Sequence, residues 1–412
     1  MSCWGMQAIV TLSVWLGAWT SAEAQRLHWI GALQGGGPSF ASDVSADGRF
    51  VVGAIAVADS SRAFRWDTQT GVIQILGTLG GTRSDAHAVS LDGRFVVGWS
   101  YNSLEQPRAF RWDAHTGRMQ DLGTLPGHVA SYAEDVSADG RFVVGTSYDA
   151  WRIGRAFRWD AHTGRMQNLG TLGGLESKAF GVSADGRFVV GWANNAINRD
   201  RAFRWDAQTG VMQDLGTLDG PRSMAFGVSA DGRFVVGHAV DADGQQLAFR
   251  WDAQTGQMLG LSTMGGRFNQ AHSVSVDGRF MVGYAYDADN TGRVALWDIQ
   301  TQQVHDLNQL YADLLADGSR LARAYALSLD GRYIVGLGYN AATGNGEAYL
   351  LDTWRTGDTD GNGCINEADL LNVLLAFGTP GTGYTRHEDI HKDGIVDDAD
   401  LLIVLFNFGQ GC

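Results

Sequence analysis

The sequence predicts an all-β, seven-bladed β-propeller followed by a small all-α domain. Three observations carry that prediction. The decapeptide VSADGRFVVG (136–145) returns at 182–191 and 228–237, with looser copies at 44–53, 89–98, 274–283 and 327–336. A second marker, AFRWD, stands at 63–67, 109–113, 156–160, 202–206 and 248–252, and continues as VALWD (294–298) and AYLLD (348–352). Its tryptophans Trp66, Trp112, Trp159, Trp205, Trp251 and Trp297 are 46, 47, 46, 46 and 46 residues apart. So regular a period marks one supersecondary unit stacked on itself.

The unit that begins at Ser177 shows each element in order. SKAFGVS is the first strand, Ala-Asp-Gly the turn, and RFVVGWA the second strand. RAFRWD is the third, with Phe203 and Trp205 on one face and Ala202 and Arg204 on the other. Ala-Gln-Thr-Gly then turns into the fourth strand, VMQDLGTL. Four short strands in such a span make a propeller blade. Large aromatics opposite small residues predict blades that interlock, so these rings belong to the core rather than to a ligand cage. The recurring Asp-Gly pair has one carboxylate, and Arg and Phe follow at once, which predicts a turn and not a metal loop. LHWIGAL (27–33) reads as a fourth-type strand with no partners before it, and the last unit stops after AYLLD. Pairing the two closes the ring without a free edge; an open β-array is the alternative.

These markers resemble the HAF repeats of exported bacterial proteins, which carry an A-F-x-W core followed by D-L-G-x-L. The last unit, HDLNQLYADLL…ARAYALSLDGRYIVG…EAYLL, is similar to that family's variant terminal repeat. The resemblance implies an extracellular repeat scaffold and brings no defined reaction or catalytic residues.

Comparing the repeats with one another locates function. The turns after strands one and three barely change, whereas the loops after strands two and four vary: YNSLEQP (101–107), YDAWRIG (148–154), NNAINRD (194–200), DADGQQ (241–246), DADNTG (287–292). One face is therefore uniform and the other variable, and binding belongs on the variable one. The innermost strands place Ser42, His87, Glu134, Phe180, Phe226, His272 and Tyr325 at equivalent positions around a central channel, a candidate ligand ring. His87 and His272 lack a third ligand for a metal, and Glu134 is the only acid among the seven.

Composition narrows the partners. With 31 basic against 45 acidic residues the net charge is −14, and Lys178 and Lys392 are the only lysines. That excludes nucleic acid and an anionic membrane surface, both of which need a basic stripe. Residues 1–24 read as a signal peptide: AIVTLSVWLGAW (8–19) is apolar and too short to span, and Ala22 and Ala24 supply an A-x-A cleavage site. No later segment is apolar enough to span a membrane, so the mature chain is expected to be exported, soluble and monomeric. Cys364 and Cys412 then remain, as one disulfide or as two free thiols.

Reaction motifs are missing from the sequence: no G-x-S-x-G elbow, P-loop or G-x-G-x-x-G occurs. HEDIH (387–391) matches H-E-x-x-H, yet Lys392-Asp393-Gly394 turns the chain where a zinc helix would continue.

After residue 352 the pattern changes to two copies of a loop followed by an apolar helix, 357–378 and 388–409. Asp358, Asp360, Asn362, the Cys364 carbonyl, Asn366 and Asp369 occupy positions 1, 3, 5, 7, 9 and 12 of a calcium loop. In the second copy these are Asp389, His391, Asp393, Ile395, Asp397 and Asp400, and an imidazole at position 3 predicts a weaker calcium site. The duplication resembles a type I dockerin, which implies calcium-dependent folding and docking onto a cohesin. The usual Ser/Thr pair at positions 10 and 11 is here Glu367-Ala368 and Asp398-Ala399, so a cell-surface attachment role competes with cohesin binding. A Cys364–Cys412 bond would tie the ends of so small a module.

The chain therefore divides into 1–24, 25–352 and 353–412. It reads as a non-enzymatic scaffold or binding protein, with carbohydrate or a surface protein as the propeller's ligand. The alternative is a carbohydrate-active enzyme, a polysaccharide hydrolase or lyase, which would need convergent carboxylates in the channel.

Overall fold

A computed structural model of the chain describes residues 27–31, 37–57, 60–361, 364–380, 387–390 and 394–412. The predicted signal peptide and the predicted ligands Asn362, His391 and Asp393 lie outside the described residues.

Four-stranded antiparallel meanders repeat along the chain; one of them runs Ala130–Val136, Phe142–Tyr148, Gly154–Asp160, Arg165–Asn168. Among the described residues the strands form five four-stranded sheets and one eight-stranded sheet. The larger one is two such meanders joined by a single parallel bridge, Gln246↔Phe268. The fold is a β-propeller. Its first strand, Leu27–Trp29, pairs antiparallel with Asn345–Asp352, through Leu27↔Leu351 and Trp29↔Tyr349. The Ala348 N–H donates to the Ser39 hydroxyl, 309 residues away in sequence.

Adjacent meanders interlock as the pattern of large and small residues predicts. Phe249 and Trp251 pack with Ala202, Val190 and Leu215 of the preceding unit, all buried. Arg204, on the face opposite Phe203 and Trp205, crosses to the next unit. Its Nε donates to the Gly232 carbonyl at 2.9 Å, and its guanidinium lies 3.5 Å from the Phe188 ring centroid. Arg65, Arg111 and Arg158 repeat this clamp.

The SADGR turn is held from within. The Asp139 carboxylate accepts from the Ser137 hydroxyl and the Arg141 N–H, and Arg141 grips Asp160 of the third strand with two nitrogens at 3.0 and 3.1 Å. Gly140 has φ 71° and packs against Phe95 of the preceding unit. At the closing joint Gly48 packs likewise on Tyr333 of the last unit. The turns after strands one and three also bond to each other, as in Ala161 N to Arg141 O, and so share the uniform face.

In the last unit a helical turn, α1 (Leu307–Leu310), and a 3-10 turn (Ala312–Leu315) stand where other units carry LGTLGG. Beyond Asp352, α2 (Glu367–Ala376) and α3 (Asp398–Asn407) pack around Ile365, Val373, Val396 and Val404. Cys364 and Cys412 are disulfide-bonded, with Cα atoms 4.7 Å apart. Among the described residues no helix is long and apolar enough to cross a membrane. His387 stands in a turn, and none of the described residues 387–390 is helical, as a zinc-binding H-E-x-x-H would require.

Candidate functional site

The channel site is built by a defect in each inner strand. Every predicted ring residue is the extra residue of a β-bulge: the ladder passes from Ala133↔Gly145 to Asp135↔Val144, skipping Glu134. It skips Ser42, His87, Phe180, Phe226, His272 and Tyr325 in the same way. The glycine of FVVG is what admits the bulge, because a Cβ at Gly145 would lie 2.0 Å from the Tyr132 carbonyl oxygen.

Ring members touch from unit to unit. His87 Nδ1 lies 2.9 Å from Glu134 Oε2. Burial lowers the basicity of His87, but the charge and hydrogen bond of Glu134 outweigh it and hold its pKa above the ordinary value. Phe180 meets Phe226 at 5.5 Å, Phe226 meets His272 edge-on at 5.7 Å, and His272 stacks on Tyr325 at 6.1 Å. Ser42, half-buried, holds the remaining bulge. His272 is kept less basic than usual by burial and by the charge of Arg323.

A bulge turns two successive residues inward. The residue after each ring member therefore also reaches the channel, which corrects the count of one acid. Asp43 accepts the N–H of Val89 in the next unit at 2.9 Å, and Asp135 that of Val182 at 2.7 Å. Ser273 accepts from Leu327 in the same manner. Both carboxylates line a cavity of about 130 Å³ at the uniform-face end of the channel, among Val44, Val89, Val136 and Val182. Burial pushes Asp43 up to about 7 and, with the charge of Asp43 added, Asp135 up to about 8. The available signal was an Asp in SFASDV and YAEDV where sister repeats carry Ala, Gly or Ser.

Toward the variable face, the residues two before the ring form the mouth: Phe40, Asp85, Tyr132, Lys178, Met224, Gln270 and Arg323. Aromatic side chains surround them in two arcs. In one, Tyr101, Trp99, Tyr132 and Tyr148 follow at 5.3, 5.6 and 5.7 Å, and Lys178 Nζ sits 5.4 Å from both Tyr148 and Trp192. In the other, Tyr284 lies 5.8 Å from His272 and 6.1 Å from Tyr286, which meets Phe268 at 5.8 Å. Gln270 bonds His238 at 2.9 Å, and burial with the charge of His272 lowers His238 to about 4. Sequence reasoning missed these residues because they do not repeat between units, and Trp99, Tyr101, Tyr148, Trp192, His238, Tyr284 and Tyr286 come from second strands.

In the C-terminal module Asp358, Asp360 and Asp369 each offer an oxygen, and the three lie within 4.8 Å of one another. Asp369 and Asp358 are buried. Two of these carboxylates are buried and the donor set is all hard oxygen, so the residues present fit a divalent metal. Asp369 also accepts from Thr359 N and Asn366 N, closing the loop onto the first turn of α2. Asp400 does the same for Ile390 N and Asp397 N at α3. The position-9 residues Asn366 and Asp397 cap the two helices, and the Asp389 carboxylate accepts from Gly394 N. The Cys364 carbonyl accepts a 3.4 Å contact from Asn366, and Ile395 is half exposed and bridges to Pro380.

No family model and no curated protein sequence matches the chain. Among solved structures it is similar to an oligogalacturonate lyase from Vibrio parahaemolyticus, with TM-score 0.54 and 12% identity over 77% of this chain and 90% of that one. It is also similar to an oligogalacturonate lyase in complex with manganese, with TM-score 0.50 and 14% identity over 76% and 88%. TolB from Acinetobacter baumannii follows at TM-score 0.45 and 16% identity, over 74% and 80%. At such identities the likeness is one of fold, the β-propeller.

Proposed function

We propose that the chain is an exported binding protein whose seven-bladed propeller takes a carbohydrate at the mouth of its channel on the variable face. The observation that carries this reading is the pair of aromatic arcs with hydrogen-bonding side chains between them. Flat rings stack on the apolar faces of sugars, while Asp85, Glu134, Gln270 and His87 address hydroxyl groups. The disulfide supports export, because such bonds persist in oxidising compartments.

The C-terminal module is the attachment device in this reading. Calcium held by Asp358, Asp360 and Asp369 would neutralise the first loop, with Asp389 and Asp400 serving the second. Leu374 and Leu375 on α2 and Leu405 and Phe406 on α3 are exposed apolar residues at matching places of the duplication. Such a face suits a cohesin-like or cell-surface partner.

The half-buried pair Asp43 and Asp135 favours a second reading, glycan cleavage. Their bonds to the next unit's backbone weigh against it, since they employ each carboxylate as an inter-blade latch. A glycan array probed with the full chain tests both. Binding that is lost in Trp99→Ala and Tyr132→Ala, with no shortening of the bound glycan, supports the binding protein. Release of shortened products overturns it in favour of the enzyme, and an array without hits removes the carbohydrate.

A further inference from the structure

The charges at the channel mouth are unevenly satisfied. Elsewhere the repeat pairs its cations with care: each SADGR arginine, from Arg49 to Arg332, meets the aspartate of its third strand within 3.1 Å. The mouth's own acids are also engaged. Glu134 holds His87 at 2.9 Å, and Asp85 takes the Ser61 hydroxyl at 2.6 Å with Arg83 at 3.9 Å.

Lys178 and Arg323 are different. They occupy the same position of the repeat, two residues before Phe180 and Tyr325, in units that are not adjacent in the ring. Among the described residues neither has a carboxylate within ion-pair distance. Each has aromatic rings instead: Tyr148 and Trp192 at 5.4 Å from the Lys178 ammonium, and Tyr284 at 5.8 Å from the Arg323 guanidinium. Lys178 is half-buried, its stem lying among these rings, and its ammonium has no ion pair among the described residues. Lys178 is also the only lysine anywhere in the repeats.

We infer that the glycan taken at this mouth is acidic: a polyuronate whose ring carboxylates are received by Lys178 and Arg323 while its sugar faces stack on the adjoining aromatic side chains. The inference rests on the carbohydrate reading and sharpens it to one chemical class. The chain's net charge of −14 does not oppose it at contact range, because charges beyond about 10 Å are screened at 0.1 M salt. A ring carboxylate that meets the Lys178 ammonium, or another that meets the Arg323 guanidinium, gains an ion pair, and each gain shrinks as salt rises.

Titration calorimetry of the full chain against polygalacturonate, a sulfated glycan and a neutral glucan tests the inference. The expected result is polyuronate binding at least about tenfold tighter than glucan binding, weakening as sodium chloride rises from 0.05 to 0.5 M. Lys178→Met and Arg323→Met should each cost about tenfold in polyuronate affinity, and Lys178→Arg, which keeps the charge, should retain most of it. Glucan binding as tight as polyuronate binding, unmoved by salt, overturns the acidic class and leaves the carbohydrate reading intact. Preference for the sulfated glycan overturns the carboxylate. Binding to none of the three overturns the inference together with the reading it rests on.

Discussion

At the scale of single residues, the conserved-looking letters of the repeat divide into those that build joints and those that face the channel. Ser137, Asp139, Gly140 and Arg141 all belong to one self-bonded turn, which is why the Asp-Gly pair recurs without metal chemistry. Asp43 and Asp135 use the same side chain for a different purpose. Their carboxyl groups titrate higher in the folded than in the unfolded chain, so the folded state binds protons more tightly. Stability should therefore fall as pH rises from about 4 through 8, where the unfolded chain has already released these protons. Asp135→Asn removes the titration and keeps an acceptor for Val182 N. Its unfolding free energy should exceed the parent's by on the order of 1–2 kcal/mol at pH 8.5 and match it near pH 4, as read by denaturant melts at the two pH values. An Asn variant that tracks the parent at both pH values would show that Asp135 is not held protonated.

At the scale of elements, three features were legible in the sequence and two were hidden. The four strands, the Asp-Gly turns and the duplicated loop–helix pairs follow from periodicity and spacing that one sequence displays openly. The bulges do not, because Gly145 and Glu134 look like ordinary strand residues until the ladder is seen to skip one of them. The helical turns over 307–315 were hidden too, since a departure from the repeat marks a change but not its shape. In the C-terminal module Asp369 joins the loop, the cap and the predicted metal in one side chain. Calcium added to the full chain should raise helical ellipticity with a midpoint below about 1 mM. Asp369→Ala should abolish the tighter event and lower the module's stability by at least about 1 kcal/mol through the lost cap. Ellipticity unchanged by calcium in the parent chain would remove the metal from this account.

At the scale of the whole molecule, closure rests on little covalent help. The disulfide ties the C-terminal module alone, so the ring is shut by Leu27–Trp29 on Asn345–Asp352 and by the packing of Gly48 on Tyr333. Trp29 seats against Gly338, where a Cβ would come within 2.7 Å of the indole. A chain lacking residues 27–31 would leave the AYLLD strand as an apolar edge open to other chains. It should unfold several degrees lower and associate on light scattering; an unaltered, monodisperse variant would mean that the other joints suffice.

The module's position has a further consequence. The His387 ring lies 4.5 Å from that of Trp354, tilted against it, and approaches Asp330, which lies in the last Asp-Gly turn. The module is thus seated on the uniform face, opposite the mouth. A molecule held to a wall or a scaffold by α2 and α3 stands on its base and opens outward, like a cup set on a shelf. On the proposed reading, capture and tethering would take place at opposite poles of the ring, and neither would need to be released for the other to occur.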